Sequence, residues 1–333
     1  MINRNQRVIL GMPRTFSIYK VLISRMQQLG FDIIDVSYNN DIFTYRSFWD
    51  RSVNFFRKIV LNDKGYKNKL KFKALGQRVL QQLQAMDKKA DYAILIRADI
   101  YPKDVVERIV DHAHKSIAYQ WDGISRYPAV KQLVSLFDHF YVFQGEGFTQ
   151  QQALYRPLNN FYFGHLYNPE IKPRLNTFYF IGSFVKSRWE NIRSAALLIA
   201  DAGGIVDFYI YSTDKQISTE YTVAGLKFIQ QSVDYEEGVT NVLYSEYLVD
   251  FLIEGQQGLS IRVFESIGYR RKLITDNASV KNYDFYRPNN IYILNVDERS
   301  LSDFMMQPYE GLPEDILAKY NFDCWLHNIL IAQ

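Results

Sequence analysis

A single cysteine in 333 residues, Cys324, excludes an internal disulfide and points to a reducing compartment. Lying between Phe322 and Trp325, it is expected to be a buried structural thiol. No run approaches the ~18 apolar residues of a membrane span. Val8 to Met12, behind Arg4 and Arg7, is too short for a signal-peptide core. These absences give the expectation of a cytoplasmic protein. There is no Asp-x-Asp to clamp a metal–diphosphate complex, no Gly-x-Ser-x-Gly elbow and no phosphate-cradling Walker A loop. The five histidines (His112, His114, His139, His165, His327) are scattered, and the one close pair is two residues apart, off any shared helix face. No metal site is expected. A net charge of +3 is too small to argue for a nucleic-acid partner.

What the chain has is alternation. Arg7 to Met12 reads as a strand, Ser17 to Leu29 as a helix with Ile18, Val21, Leu22, Met26 and Leu29 on one face, and Phe31 to Val36 as a strand. Two basic helices span 46–89. Strands follow at Tyr92–Ile96, Ser116–Gln120 and His139–Phe143, with helices at Lys103–His114 and Ala129–Phe137. Residues 151–174, with Pro157, Pro169 and Pro173, read as a linker. The pattern restarts with a strand at Thr177–Ile181, a helix at Arg188–Ala202, strands at Ile205–Ile210 and Lys227–Ile229, and a helix at Tyr235–Leu243. The tail from Pro313 to Leu330 reads as one or two helices. Alternating strands and helices predict parallel sheets covered on both faces, so the fold class is α/β. The length suits two domains.

The most informative stretch runs from Gly255 to Asn277. An apolar strand, Tyr247 to Ile253, leads into Gly255-Gln-Gln-Gly-Leu-Ser260. A helix carrying Arg262 and Glu265 follows, and then the strand Lys272–Thr275. A glycine-containing loop between a strand and a helix N-terminus is how α/β proteins hold phosphate, through free N–H groups and the positive helix end. Arg262 adds a forked, charge-assisted contact. Glu265 would accept hydrogen bonds from ribose or sugar hydroxyls. After the first strand of the second half, Gly182 and Ser183 let backbone approach a diphosphate that Lys186 and Arg188 could neutralise; taken alone, the segment reads as an ordinary strand–helix turn with solvated basic residues, and it is the Gly255–Asn277 stretch that favours the diphosphate. Ser232 or Asp234 can cap the helix at Tyr235–Leu243, with Glu236 and Glu237 in its first turn. Tyr119-Gln-Trp-Asp-Gly123 ends another strand. There Trp121 could stack on a sugar and Asp122 act as a base, or Trp121 is core and Asp122 a cap. Arg126 crowds the same loop, and Arg97 and Asp99 end another strand on the same edge.

Gln-x-Gly-Leu-Ser-x-Arg-x-Phe-Glu-x-x-Gly-x-x-Arg-Lys-Leu-Ile-Thr resembles the donor-site segment of bacterial GT-B glycosyltransferases, most of all the CgeB-like group of lipopolysaccharide and capsule biosynthesis. The Tyr-Gln-Trp-Asp run is similar to that group as well, whereas Gln144 to Gly147 departs from it. The resemblance implies two Rossmann-like domains whose parallel sheets face across a cleft. They would be an acceptor-binding domain over 1–160 and a nucleotide-sugar-binding domain over 161–310, with C-terminal helices over 311–333 packing back on the first. It implies a metal-independent glycosyltransferase moving a sugar from a nucleotide-sugar, UDP above other nucleotides, to a surface polysaccharide or lipooligosaccharide, with no further cofactor. Asp122, Arg262 and Glu265 would be catalytic. Gly182, Ser183, Lys186, Arg188, Val233, Tyr235, Gly258, Leu259 and Ser260 would bind the donor, and Trp121 and Arg126 the acceptor. The partners expected are the donor, a glycan or lipid-linked glycan, and an anionic membrane surface met through 46–89, with no nucleic acid. The basic stretch 46–89 is equally explained as a cover for the first sheet. A nucleotide-sugar epimerase of the same fold, or a non-catalytic glycan-binding protein, is the alternative.

Overall fold

The computed structural model describes residues 5–38, 76–122, 124, 127–143, 154–253 and 258–332. The chain divides into two compact units, Met1–Val142 with Phe148–Arg156, and Pro157–Gln333 with Phe143–Gly147.

The first unit carries a six-stranded sheet in the order β2-β1-β3-β4-β5-β6. Its strands are β1 Arg7–Gly11, β2 Asp32–Asp35, β3 Ala90–Ile96, β4 Ala113–Gln120, β5 His139–Phe143 and β6 Tyr155–Leu158. Pairing is parallel from β2 through β5. The crossovers are α1 (Ile18–Gln28), α2 (76–84) and α3 (Lys103–Asp111). In α1 the buried residues are Ile18, Val21, Leu22 and Met26, the three-to-four spacing that puts one face on a sheet. Gly30, at φ 96°, takes the left-handed turn that ends this helix, its N–H reaching the Gln27 carbonyl. Two expectations fail here. Ala129–Phe137 is a 3-10 helix over Pro128–Leu136 rather than an α-helix. The stretch read as a linker contains β6, which is the edge strand of the first sheet. Most of the basic segment 46–89 lies outside the described residues.

The second sheet is parallel throughout, in the order β12-β11-β10-β7-β8-β9. Its strands are β7 Arg174–Ser183, β8 Ile205–Tyr211, β9 Leu226–Ile229, β10 Ser245–Asp250, β11 Lys272–Thr275 and β12 Ile291–Ile293. Helices α4 (Trp189–Asp201), α5 (Ile217–Glu220), α6 (Tyr235–Tyr244), α7 (Ile261–Gly268), α8 (Leu301–Met306), α9 (Glu314–Tyr320) and α10 (Phe322–Ile331) complete it. The central strands are buried on both faces, and the two-residue period sorts their side chains. Phe178, Phe180, Tyr247 and Val249 form one core with Trp189, Ile192 and Ile199 of α4. Tyr179 and Leu248 turn the other way, into a core with Val239 and Val242 of α6 and Val263 and Phe264 of α7. Within this unit α10 packs on the aromatic segment before β7: Phe161 lies 5.0 Å from Phe322, and the Trp325 indole N–H donates to the Asn159 carbonyl at 3.1 Å. Cys324 is half-buried, more open than its aromatic neighbours suggest.

Candidate functional site

In the second unit α7 starts where β10 ends. Ser260 takes the N-cap position, its Oγ accepting the Arg262 N–H at 3.2 Å and donating to Asp250 Oδ1 at 2.8 Å. The last residue of the strand thus pins the N-cap of the helix. Asp250 is buried, and desolvation raises its pKa against the pull of Ser260, Arg188 and Arg262. The loop before the cap is tied down through its carbonyls. Gly258 accepts from Asn277 at 3.3 Å and Leu259 from Asn160 at 3.1 Å. Gly255 itself lies outside the described residues.

Arg262 and Glu265 are three apart on the first turns of α7 and so share a face. Their ion pair is 2.6 Å long, with Glu265 at 0% exposure. The other Glu265 oxygen accepts the Tyr235 hydroxyl at 2.5 Å. Arg262 also lies 5.6 Å above the ring of Tyr179, whose hydroxyl is pushed up to about 12 by burial while Arg262 pulls it back. Burial, with the Glu265 charge next, holds the Tyr235 hydroxyl well above its ordinary range. A carboxylate offers about four lone-pair directions, and Tyr235 and Arg262 take one on each oxygen. Tyr235, expected among the donor-binding residues, thus places its hydroxyl on Glu265. Asp234 occupies the N-cap of α6 without a side-chain cap bond, and Val233 beside it is half-buried.

At the turn between β7 and α4 the two cations part. Lys186 is exposed, while Arg188 is buried and donates to the Ser183 carbonyl at 2.5 Å. A Cβ at Gly182 would come within 2.9 Å of the tip of the Phe180 ring and 3.4 Å of the Arg188 guanidinium, so a larger residue there would have to displace the ring. The basic pair closing the sequence motif is structural. Arg271 donates to the Leu243 carbonyl at the end of α6, and Lys272 donates to the Phe304 carbonyl at 2.7 Å and to Gln307 at the end of α8. The sequence reading missed Asp250, Tyr179 and Asn277. An acid closing a buried strand was a usable signal for Asp250, whereas Tyr179 sits in an apolar run where it looks like core.

The first unit holds a second charged cluster. Arg97, one residue past β3, has φ 62° and ψ 60°, a left-handed conformation that costs a side-chain-bearing residue about 1–2 kcal/mol. It is 9% exposed. Its Nε and Nη2 grip both oxygens of Asp99 at 2.7 and 2.8 Å, its Nη1 pairs with Asp122 Oδ2, and its Cζ lies 3.6 Å from the centre of the Tyr127 ring. Burial opposes the guanidinium charge, but Asp99 and Asp122 more than offset it and raise its pKa. Asp122, the sequence-predicted base, is therefore an ion-paired carboxylate, with 23% of its side chain exposed. Trp121 beside it is half-buried. Arg126 lies outside the described residues. Among the described residues no group of three His, Cys, Asp or Glu could hold a metal ion, and no helix is long and apolar enough to cross a membrane.

No family model matches the sequence, and no curated protein matches it. Solved structures do. The catalytic domain of starch synthase IV from Arabidopsis thaliana, bound to ADP and acarbose, aligns with a TM-score of 0.57 at 10% identity, over 98% of this chain and 95% of that one. An α-glucosyltransferase in complex with UDP and a 13-mer DNA containing an HMU base aligns with a TM-score of 0.56 at 9% identity, over 98% and 99%. A UDP-forming trehalose-phosphate synthase from Burkholderia xenovorans gives 0.53 at 9%, over 98% and 99%. The expectation that excluded nucleic acid is overturned here, since an enzyme of this architecture has been solved on DNA. The low net charge that motivated the exclusion measures the whole chain and not one face of it. With two parallel α/β sheets matched along nearly its whole length, the chain has the GT-B fold.

Proposed function

We propose that the protein is a glycosyltransferase that takes a sugar from a nucleotide-sugar, UDP-linked above other nucleotides, without a metal or further cofactor. One observation carries the reading: a fully buried carboxylate, Glu265, held by Tyr235 and Arg262 on the first turns of a helix that follows a glycine loop at the carboxyl end of β10. The start of α7 would meet the diphosphate with N–H groups and its positive end, and Glu265 would accept donor hydroxyls. Arg262, Lys186 and Arg188 would stabilise the leaving diphosphate. Gly182 and Ser183, Val233 and the Gly258 to Ser260 loop would line the donor's path. Neighbours of the same fold that were solved with UDP or ADP support this reading. In the first unit Asp122 would receive the acceptor hydroxyl, with Trp121 and Arg126 beside it. A cytoplasmic location fits the lone cysteine and a nucleotide-sugar donor.

The resemblance of the donor-site segment to the CgeB-like group makes a surface polysaccharide or lipooligosaccharide the acceptor of choice. A second reading, a nucleic-acid acceptor, draws on the α-glucosyltransferase solved with DNA.

The test is thermal stabilisation by UDP, ADP, GDP and CMP and their common sugars in EDTA. A ligand at ~100 times its dissociation constant adds ~2.7 kcal/mol, a clear rise in Tm. Stabilisation by one nucleotide, with its sugar conjugate losing ground in Glu265→Ala, is expected. If no nucleotide shifts Tm, the transferase reading fails. Transfer to an HMU-containing duplex, and to no glycan, would move the acceptor to the second reading.

A further inference from the structure

Two carboxylates close neighbouring strands of the second sheet, and the fold meets them unequally. Asp276, one residue past β11, has a donor on each oxygen: the Leu252 N–H at 2.7 Å and the Asn191 amide at 2.7 Å. Asp250, the last residue of β10, pairs in register with Thr275 and is 9% exposed. Its Oδ1 accepts the Ser260 hydroxyl at 2.8 Å, and among the described residues no group hydrogen-bonds its Oδ2. A buried carboxylate left half-met is costly to keep charged. The groups facing it are Ser260 and Arg262 of α7, Arg188 before α4, and Asp276. Burial, with the Asp276 charge on its side, outweighs the Ser260 hydroxyl and the two arginines, and the acid is shifted towards its neutral form. Ser260 fixes this carboxyl at the start of α7, where the diphosphate was placed above. An anion arriving there competes for Arg188 and Arg262 and sets a like charge beside Asp250. A proton on Oδ2 removes that repulsion and makes the open oxygen an O–H donor.

We propose that Asp250 is a donor-binding residue that takes up a proton from solvent, on Oδ2, as the diphosphate binds, so that the donor is met by a neutral acid. This rests on the donor site proposed above. The complex then holds more protons than the free protein wherever pH lies between the pKa of Asp250 without donor and its higher value with donor. Affinity therefore falls as pH rises through that window.

Titration calorimetry of the full chain tests this, with UDP-glucose, or with ADP-glucose or GDP-glucose where that is the one that binds. Runs in paired buffers of different ionisation enthalpy count the protons taken up. These ligands are diphosphate diesters whose charge is constant between about pH 5 and 8, so the protons counted belong to the protein. Uptake of up to about one proton is expected, with the dissociation constant rising by up to about tenfold per pH unit where uptake occurs. Asp250→Asn keeps an acceptor for Ser260 and carries a permanent N–H donor. It should take up no proton, hold a constant affinity over the range and bind more tightly than wild type at its alkaline end. A wild type that binds without proton uptake at every pH overturns the inference while the donor site stands, and that result needs no variant. Uptake that persists in Asp250→Asn assigns the proton to another group and overturns it as well. If wild type binds none of the three nucleotide-sugars, the transferase reading fails and the inference falls with it.

Discussion

Each unit sets an arginine on a carboxylate beyond the carboxyl end of its sheet, and the two do so by opposite means. In the second unit Arg262 and Glu265 are three residues apart on one helix, in relaxed helical backbone, and their carboxylate is sealed from solvent. In the first, Arg97 and Asp122 stand 25 residues apart, just past the ends of neighbouring strands, and the arginine reaches its partner from a left-handed backbone. The helical pair is local, with its carboxylate closed in. The strand-end pair is long-range, with its carboxylate part-open. Pairing distance along the chain, more than chemistry, separates them.

The sharpest way to break the comparison is at Glu265. Glu265→Ala leaves the Arg262 charge without its partner and the Tyr235 hydroxyl without an acceptor, so the variant should lose about 3–5 kcal/mol. Chemical denaturation measures it, and a loss below ~1 kcal/mol would mean the pair is solvated rather than sealed.

A buried lysine sharpens it further. Lys272 hydrogen-bonds carbonyls and no carboxylate, and burial brings its pKa down from 10.5 to about 8, whereas both arginines are raised. Between those two pH values the unfolded chain binds more protons than the folded one, so this residue's contribution to stability increases as pH rises from about 8 towards 10.5. Wild type should gain stability relative to Lys272→Met across pH 8–10, by up to ~1.4 kcal/mol per pH unit, and show no relative change below pH 7. A flat difference would put the ammonium in water.

The smallest effect belongs to Ser260→Ala. Loss of the cap bond should lower stability by about 1 kcal/mol and leave Asp250 without its hydroxyl donor. UDP affinity in the same variant reports whether the helix start is needed in place for the donor.

The same pairing distances decide what was legible in the sequence. The alternation of strands and helices follows from period, and nearly every element expected from Tyr92 to Thr275 is present. β12 and α8 were missed because three- and six-residue elements carry too little period to stand out. β6 was hidden by Pro157, which an edge strand tolerates and a central one does not. Glu265 beside Arg262 could be read from three-residue spacing. That the Tyr235 hydroxyl completes the pair could not, because 30 residues and a change of element separate them. Asp122 was legible as a polar strand end. Its engagement by Arg97 depends on a backbone angle that no residue type announces.

The order of the second sheet also sets a timetable. β7 ends at Ser183, yet its partner β10 begins only at Ser245, with β8 and β9 filling the other edge in between. On a ribosome adding ~5–20 residues per second, about 60 residues of chain separate the two, an interval of roughly 3–12 s. During it the edge of β7 that β10 will take is unpaired and Tyr179 has neither α6 nor α7 to cover it, the state in which a strand recruits a stranger. Synthesis through Asp250 closes that edge, and α7, with Glu265, emerges only afterwards.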